Sequence, residues 1–134
     1  MPELPEPLPA KQTLLLILLP MLFVFAALRL YLHLVHVRHI FPGGYLVHHL
    51  FVGILVTLPA AFALAFGPRR RVAKILAPVA LGIGSGMILD EFTYLVATKA
   101  SDEDYVSQVS LVGGMVFIGL AALLLLVLYL LHRD

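Results

Sequence analysis

The sequence predicts an all-α integral membrane protein, a compact antiparallel bundle of four transmembrane helices. Two observations predict it. Of 134 residues, 61% are hydrophobic and only 13% are charged, whereas a soluble globular domain is about half apolar and about a quarter charged. The apolar residues also fall in long runs, and a run of roughly 20 residues is what a helix needs to cross the hydrocarbon core. Four runs meet that length: Leu14 to Val37, Tyr45 to Phe66, Ile75 to Ala97 and Val106 to Leu131. They lack period-two alternation and are rich in Leu and Ala, so their backbone polar groups are expected to be satisfied within helices rather than in a β-barrel.

Residues 1–13 form a Pro-rich segment expected to be an extended, poorly ordered tail, with 14–134 as one membrane domain. The first apolar run is longer than the apolar stretch of a secretory signal and no small-x-small cleavage pattern follows it, so it reads as a retained helix. The first break is Phe41-Pro42-Gly43-Gly44, where Pro lacks a donor and Gly tolerates positive φ. Gly67-Pro68 ends the second run, and Lys99 to Asp104 separates the third from the fourth. Short links make sequential helices antiparallel neighbours. Pro20 and Pro59 are expected to kink their helices, and Pro78 to be tolerated near the start of the third.

Charge sets the orientation. The second link carries Arg69, Arg70, Arg71 and Lys74, while the third carries Lys99 against Asp102, Glu103 and Asp104. The positive-inside rule places the Arg-rich link, and with it both termini, in the cytoplasm. Arg38 opposes this assignment and Arg133 agrees with it. The nine Lys and Arg against eight Asp and Glu leave a net charge of +1, with no basic surface for a nucleic acid. The chain has no Cys, which excludes disulfides and thiolate metal sites.

Function is expected where polar residues interrupt the apolar runs. Five of the six histidines, His33, His36, His39, His48 and His49, flank the first break. The first run carries Arg29, and the third carries adjacent Asp90 and Glu91 with Tyr94 one turn later. A charge near the bilayer centre costs about 3 kcal/mol on insertion scales and normally faces protein or a cavity. Counted from the ends of their runs, these residues from three helices reach overlapping depths near the outer side, where Gln108, Ser110 and Tyr105 are the matching positions in the fourth segment. Arg29, His33 and His36 share a face by i,i+4 and i,i+3 spacing. His48 and His49 point about 100° apart, so one of them is expected to face the bundle. His39 reads as interfacial and His132 as unrelated.

Imidazoles beside carboxylates suit Zn²⁺, Fe²⁺ or Mn²⁺. The expected ligands are His33, His36, His48, His49 and Glu91. Asp90 would serve as base or as a support to a ligand, and Tyr94 or Arg29 would steady a polar group of a lipid-like or apolar substrate. Three alternatives stay open: a small transporter or proton/metal permease subunit, haem held between histidines of two helices, and a structural subunit in which Arg29 pairs with Asp90 or Glu91. An HH pair opening one helix and a DE pair near the end of another resembles small prokaryotic membrane proteins, which implies a multi-pass protein of the cytoplasmic (inner) membrane, in contact with lipid. The Gly82-x-Gly84-x-Gly86 run suits close helix packing, with Gly113, Gly114 and Gly119 as facing positions, or a homodimer contact through these glycine faces.

Overall fold

A computed structural model describes residues 6–35, 48–68 and 70–133, and all regular structure among them is helical. The helices are α1 (Ala10–Leu34), α2 (His49–Ala65), α3 (Arg71–Ala97), the single-turn α4 (Asp102–Tyr105) and α5 (Gln108–Leu131). Three of them, α1, α3 and α5, are long and apolar enough to cross a membrane, with 25, 27 and 24 residues. With 17 residues, α2 is shorter; at ~1.5 Å per residue it spans ~26 Å.

Several boundaries differ from the sequence reading for identifiable reasons. Residues 10–13, expected in the tail, form the first turn of α1: Pro9, with φ −53°, sits at the N-cap, and its carbonyl accepts from the Thr13 amide at 3.0 Å. α3 likewise begins a turn early and takes in Arg71 to Lys74. Pro20, Pro59 and Pro78 lie inside α1, α2 and α3. The helix α4 was not expected, although its signal was present. Ser101 caps the Asp104 amide while the Asp104 carboxylate accepts from the Ser101 amide, a capping box whose S-x-x-D pattern is readable in the sequence. At the end of α2, Gly67 adopts φ +68°, the left-handed conformation that stops a helix.

The arrangement is built around α3. The expected side-by-side packing of sequential helices fails for the first pair: among the described residues α1 and α2 make no contact, and each packs on α3, as does α5. Two glycine faces of α3 explain this. Gly82 and Gly86, four residues apart, meet the backbone of α1, where a Cβ on Gly86 would stand 2.7 Å from the Met21 carbonyl oxygen and one on Gly82 would collide with that of Ile17. Gly84 lies on the other side, against Thr57 and Gly53 of α2, and a Cβ on Gly53 would stand 2.8 Å from the Gly84 carbonyl. Without side chains, three backbones approach closely, and α3 is buried on both sides. The glycines expected to oppose the Gly82/Gly86 face do not meet it: Gly113 packs on Thr93 and Gly114 on Phe25 and Arg29, while Gly119 has no neighbour within 4 Å. The α3 glycine faces proposed above for a homodimer are thus filled from within the chain.

The pairings Ile17/Gly82, Met21/Gly86 and Arg29/Asp90 ascend together, so α1 and α3 run parallel. Thr57/Gly84 and His49/Asp90 run oppositely, so α2 is antiparallel to α3. The end of α5 returns to the start of α1, where Tyr129 and His132 share a crevice with Ala10 and Thr13. Large apolar side chains cover the outside: Phe23, Leu55 and Phe66 are 72%, 73% and 90% exposed. Small residues inside and large apolar ones outside are the distribution that lipid favours.

Gly82→Ala is expected to destabilise the protein by about 1–3 kcal/mol through overpacking against Ile17, whereas Gly119→Ala, in open space, should be neutral or stabilise by up to about 1 kcal/mol. Denaturant titration in detergent micelles checks the pair. The hydrogen bonds from Ser101 hold the Asp104 carboxyl below its ordinary value. A depressed folded-state value means that the carboxylate stabilises α4 above the ordinary carboxylate value of about 3.9 and loses that effect as pH falls through the lower folded value. Amide exchange at Asp104 should therefore speed up, relative to neighbouring helices, only in that acid window.

Candidate functional site

Adjacent residues on a helix point about 100° apart, and this separates the two carboxylates of α3. Asp90 continues the Gly82/Gly86 face toward α1, and Glu91, seven residues beyond Gly84, faces α2. Both are buried, at 0% and 3% exposure.

Asp90 meets Arg29, whose five N–H donors all find acceptors. Nε donates to Asp90 Oδ1. One Nη donates to the Tyr105 carbonyl at 2.9 Å and to Ser110 Oγ at 3.1 Å, and the other to the carbonyls of Asp90 at 2.7 Å and Ser110 at 3.2 Å. One guanidinium thereby joins α1, α3, α4 and the first turn of α5. Its plane also lies over the Tyr105 ring, 4.6 Å from the centroid, and near that of Phe25 at 5.6 Å. The Tyr105 hydroxyl donates to Asp90 Oδ2. Burial and, next, the Asp90 charge push the Tyr105 phenol far above its ordinary value, so it stays a neutral donor.

The second oxygen of Asp90 also receives His49, with Nε2 at 2.9 Å. The opposite nitrogen of that ring, Nδ1, stands 3.5 Å from Glu91 Oε2. His48 approaches the same carboxylate from its other side, with Nδ1 2.5 Å from Oε1. The Leu50 amide donates to Glu91 Oε2 at 2.8 Å. Since α2 has no side-chain cap of its own, Glu91 of α3 satisfies one of its free first-turn amides and complements the positive end of its dipole. His48 and His49 are 19% and 18% exposed, so the cluster is partly open on the α2 side. Phe51 and Tyr94 flank His48 with ring centroids 6.4 and 6.0 Å away.

Thus Arg29, His48, His49, Asp90 and Glu91 come together, and both neighbouring histidines face the bundle where the helical angle led one to expect a single one. The reason is that His48 precedes the first helical residue, at ψ 143°, so its side chain does not follow the helical rotation. His33 is not brought to this cluster. It is exposed on α1 and lines a separate cavity. His36 and His39 lie outside the described residues. Tyr94 donates its hydroxyl to the Ala100 carbonyl at 2.7 Å and, with Thr98 Oγ1 accepting from the Ala100 amide at 3.0 Å, secures a residue held at φ +58°. Arg29 and Tyr94 thus donate to groups of the protein itself. Ser110 and Tyr105, picked out by depth, are in the network, whereas Gln108 is exposed. The Leu50 amide is a participant that residue-type reasoning does not find.

Among the described residues no group of three or more His, Asp or Glu side chains stands ready-made around an ion position. No family model, curated protein or solved structure matches this chain.

Arg29→Met should cost about 3–5 kcal/mol, because it leaves the fully buried Asp90 without its cation. Arg29→Met combined with Asp90→Leu should recover part of that loss, since no buried charge is then stranded. Unfolding free energies of the two single variants and the double variant measure the coupling.

Proposed function

We propose that the chain is a four-span inner-membrane protein in which His48, His49 and Glu91 bind one divalent transition-metal ion, with Asp90 supporting His49. The observation carrying this reading is the convergence on Glu91. Nδ1 of His48 and Nδ1 of His49 stand 2.5 and 3.5 Å from its two oxygens, while Nε2 of His49 is backed by Asp90 at 2.9 Å. A carboxylate behind the second nitrogen of a ligand imidazole is a recurrent support of metal sites. Asp90 is suited to it, being itself held by Arg29 and Tyr105.

The electrostatics point the same way. Arg29 balances Asp90, whereas Glu91 is approached by two imidazoles and one amide, without a Lys or Arg among the bonded groups. Two nitrogens and a carboxylate are a donor set for Zn²⁺, Fe²⁺ or Mn²⁺, and binding requires the rings to move off their hydrogen bonds to make room for the ion. Three protein ligands leave a position open, the feature that separates catalytic from structural zinc sites. The open side, with partly exposed imidazoles, is suited to an enzyme acting on a lipid or other apolar substrate.

The four-span topology rests on α2 running antiparallel along α3, with the start of α1 and the end of α5 at the end of the bundle that carries Arg70, Arg71 and Lys74. The positive-inside rule makes that end cytoplasmic and puts the His/carboxylate cluster toward the outer leaflet. A second reading, an interhelical lock in which an imidazole proton neutralises Glu91, is favoured by the completeness of the hydrogen bonding as it stands.

Protein purified without a polyhistidine tag should carry about one metal equivalent per chain. Glu91→Gln should abolish this, and Asp90→Asn should weaken affinity about 10–100-fold. Excess Zn²⁺, Mn²⁺ or Fe²⁺ should raise the thermal midpoint of metal-stripped protein. Metal far below one equivalent, together with an unmoved midpoint for all three ions, would leave the proton lock as the function of the cluster.

A further inference from the structure

Behind the Arg29–Tyr105 contact lies a cavity of about 300 Å³ lined by Arg29, Leu30, His33, Tyr105, Val106 and Leu111. It opens between α1 and the α4–α5 corner, and neither His48 nor His49 lines it. Its polar capacity is already used. The five Arg29 donors and the Tyr105 hydroxyl are committed to Asp90, Ser110 and backbone carbonyls. Arg29 and Tyr105 therefore bring no uncommitted donor to the cavity, and Leu30, Val106 and Leu111 supply apolar wall. His33 is the one lining residue whose ring has no hydrogen-bond partner among the described residues. It sits a single residue before the end of α1, at the level of the polar layer.

Such a cavity discriminates by chemistry. A sugar, nucleotide or polyol would bury hydroxyls with nothing to receive them, at about 1–3 kcal/mol each. What fits is apolar along its length and polar only where it passes His33, whose imidazole offers an N–H donor and, when protonated, a positive charge. The surroundings supply molecules of that form. Leu30, which lines the cavity, and Tyr31 and Leu34 in the same last turns of α1 are 62%, 53% and 75% exposed, as lipid-facing side chains should be. The volume lies at the small end for ligand pockets and matches part of a single chain, not a whole two-chain lipid.

We propose that this cavity is a lipid site that takes one acyl chain of an anionic phospholipid, with the headgroup phosphate on His33. The site does not depend on the metal reading, since it shares neither His48, His49 nor Glu91.

The absence of tryptophan from the chain makes a direct test available. A single tryptophan placed at the rim by Val106→Trp is reconstituted in phosphatidylcholine vesicles, and its quenching by dibrominated phosphatidylglycerol is compared with that by dibrominated phosphatidylcholine. A second protein carries Val96→Trp, at a similar level on the exposed face of α3, as the control. The two lipids share the phosphate, but in phosphatidylcholine the choline cation neutralises it. The rim tryptophan should therefore favour the anionic lipid about three- to tenfold, the scale of one ordinary net hydrogen bond, and the control should show little preference. Adding His33→Ala to the rim protein should erase the preference, and His33→Arg should restore it. Because His33 is exposed, these changes should leave the helical circular dichroism intact. Equal quenching by the two lipids at the rim, or a preference that survives His33→Ala, would overturn the proposal.

Discussion

The buried Arg29–Asp90 pair is the constraint on which the polar end of this protein depends. A guanidinium and a carboxylate removed from water are costly unless every donor and lone pair is met, and here they are met by groups from four helical elements. The carbonyls of Tyr105 and Ser110, the Ser110 hydroxyl, the Tyr105 phenol and the His49 ring all converge on the pair. α4 and the first turn of α5 are therefore fixed relative to α1 and α3, and Asp90 presents a defined oxygen to His49. The position of the histidine pair follows from that oxygen and from Glu91, and not from any contact between α1 and α2.

Close packing makes this convergence geometrically available. Gly82 and Gly86 bring α1 against α3, Gly84 and Gly53 bring α2 against its other side, and the carboxylates lie one and two turns further along the same two faces. A single stretch of α3 thus sets both the helix spacing and the direction of each acidic side chain. In lipid there is little hydrophobic drive between apolar helices, so close backbone contact and interhelical hydrogen bonds carry the association. The glycine run and the acidic pair are two halves of one device: the first brings three helices near enough for the second to be neutralised.

Much of the site was legible in the sequence because depth is a linear property. Counting residues from the ends of apolar runs gives height in a bilayer, and height alone picks out Arg29, His48, His49, Asp90, Glu91, Tyr105 and Ser110. Lateral position is not linear. His33 has the right height and the right face relative to Arg29, yet it lines a different cavity, one that His48, His49, Asp90 and Glu91 do not reach. His48 escaped the helical-angle argument because its backbone is extended. The Leu50 amide carries no signature, as every residue but proline has one. Tyr94 has the composition of a site residue, but its hydroxyl is consumed by the strained link at Ala100.

The sequence by itself determined the helical, membrane-type character of the chain, the approximate extent of its apolar runs and the existence of a layer of ionisable residues toward one end. Run length, hydropathy and turn residues are local quantities, and local physics suffices to read them. Only the tertiary structure decided that α3 is central, that α1 and α2 are separated by it, and that the two carboxylates divide their partners between Arg29 and the histidine pair. Those outcomes depend on which glycine faces meet which backbones and on whether each buried charge finds a complete set of partners. Both are settled jointly by residues far apart in the chain, and spacing along one helix can name the groups without pairing them.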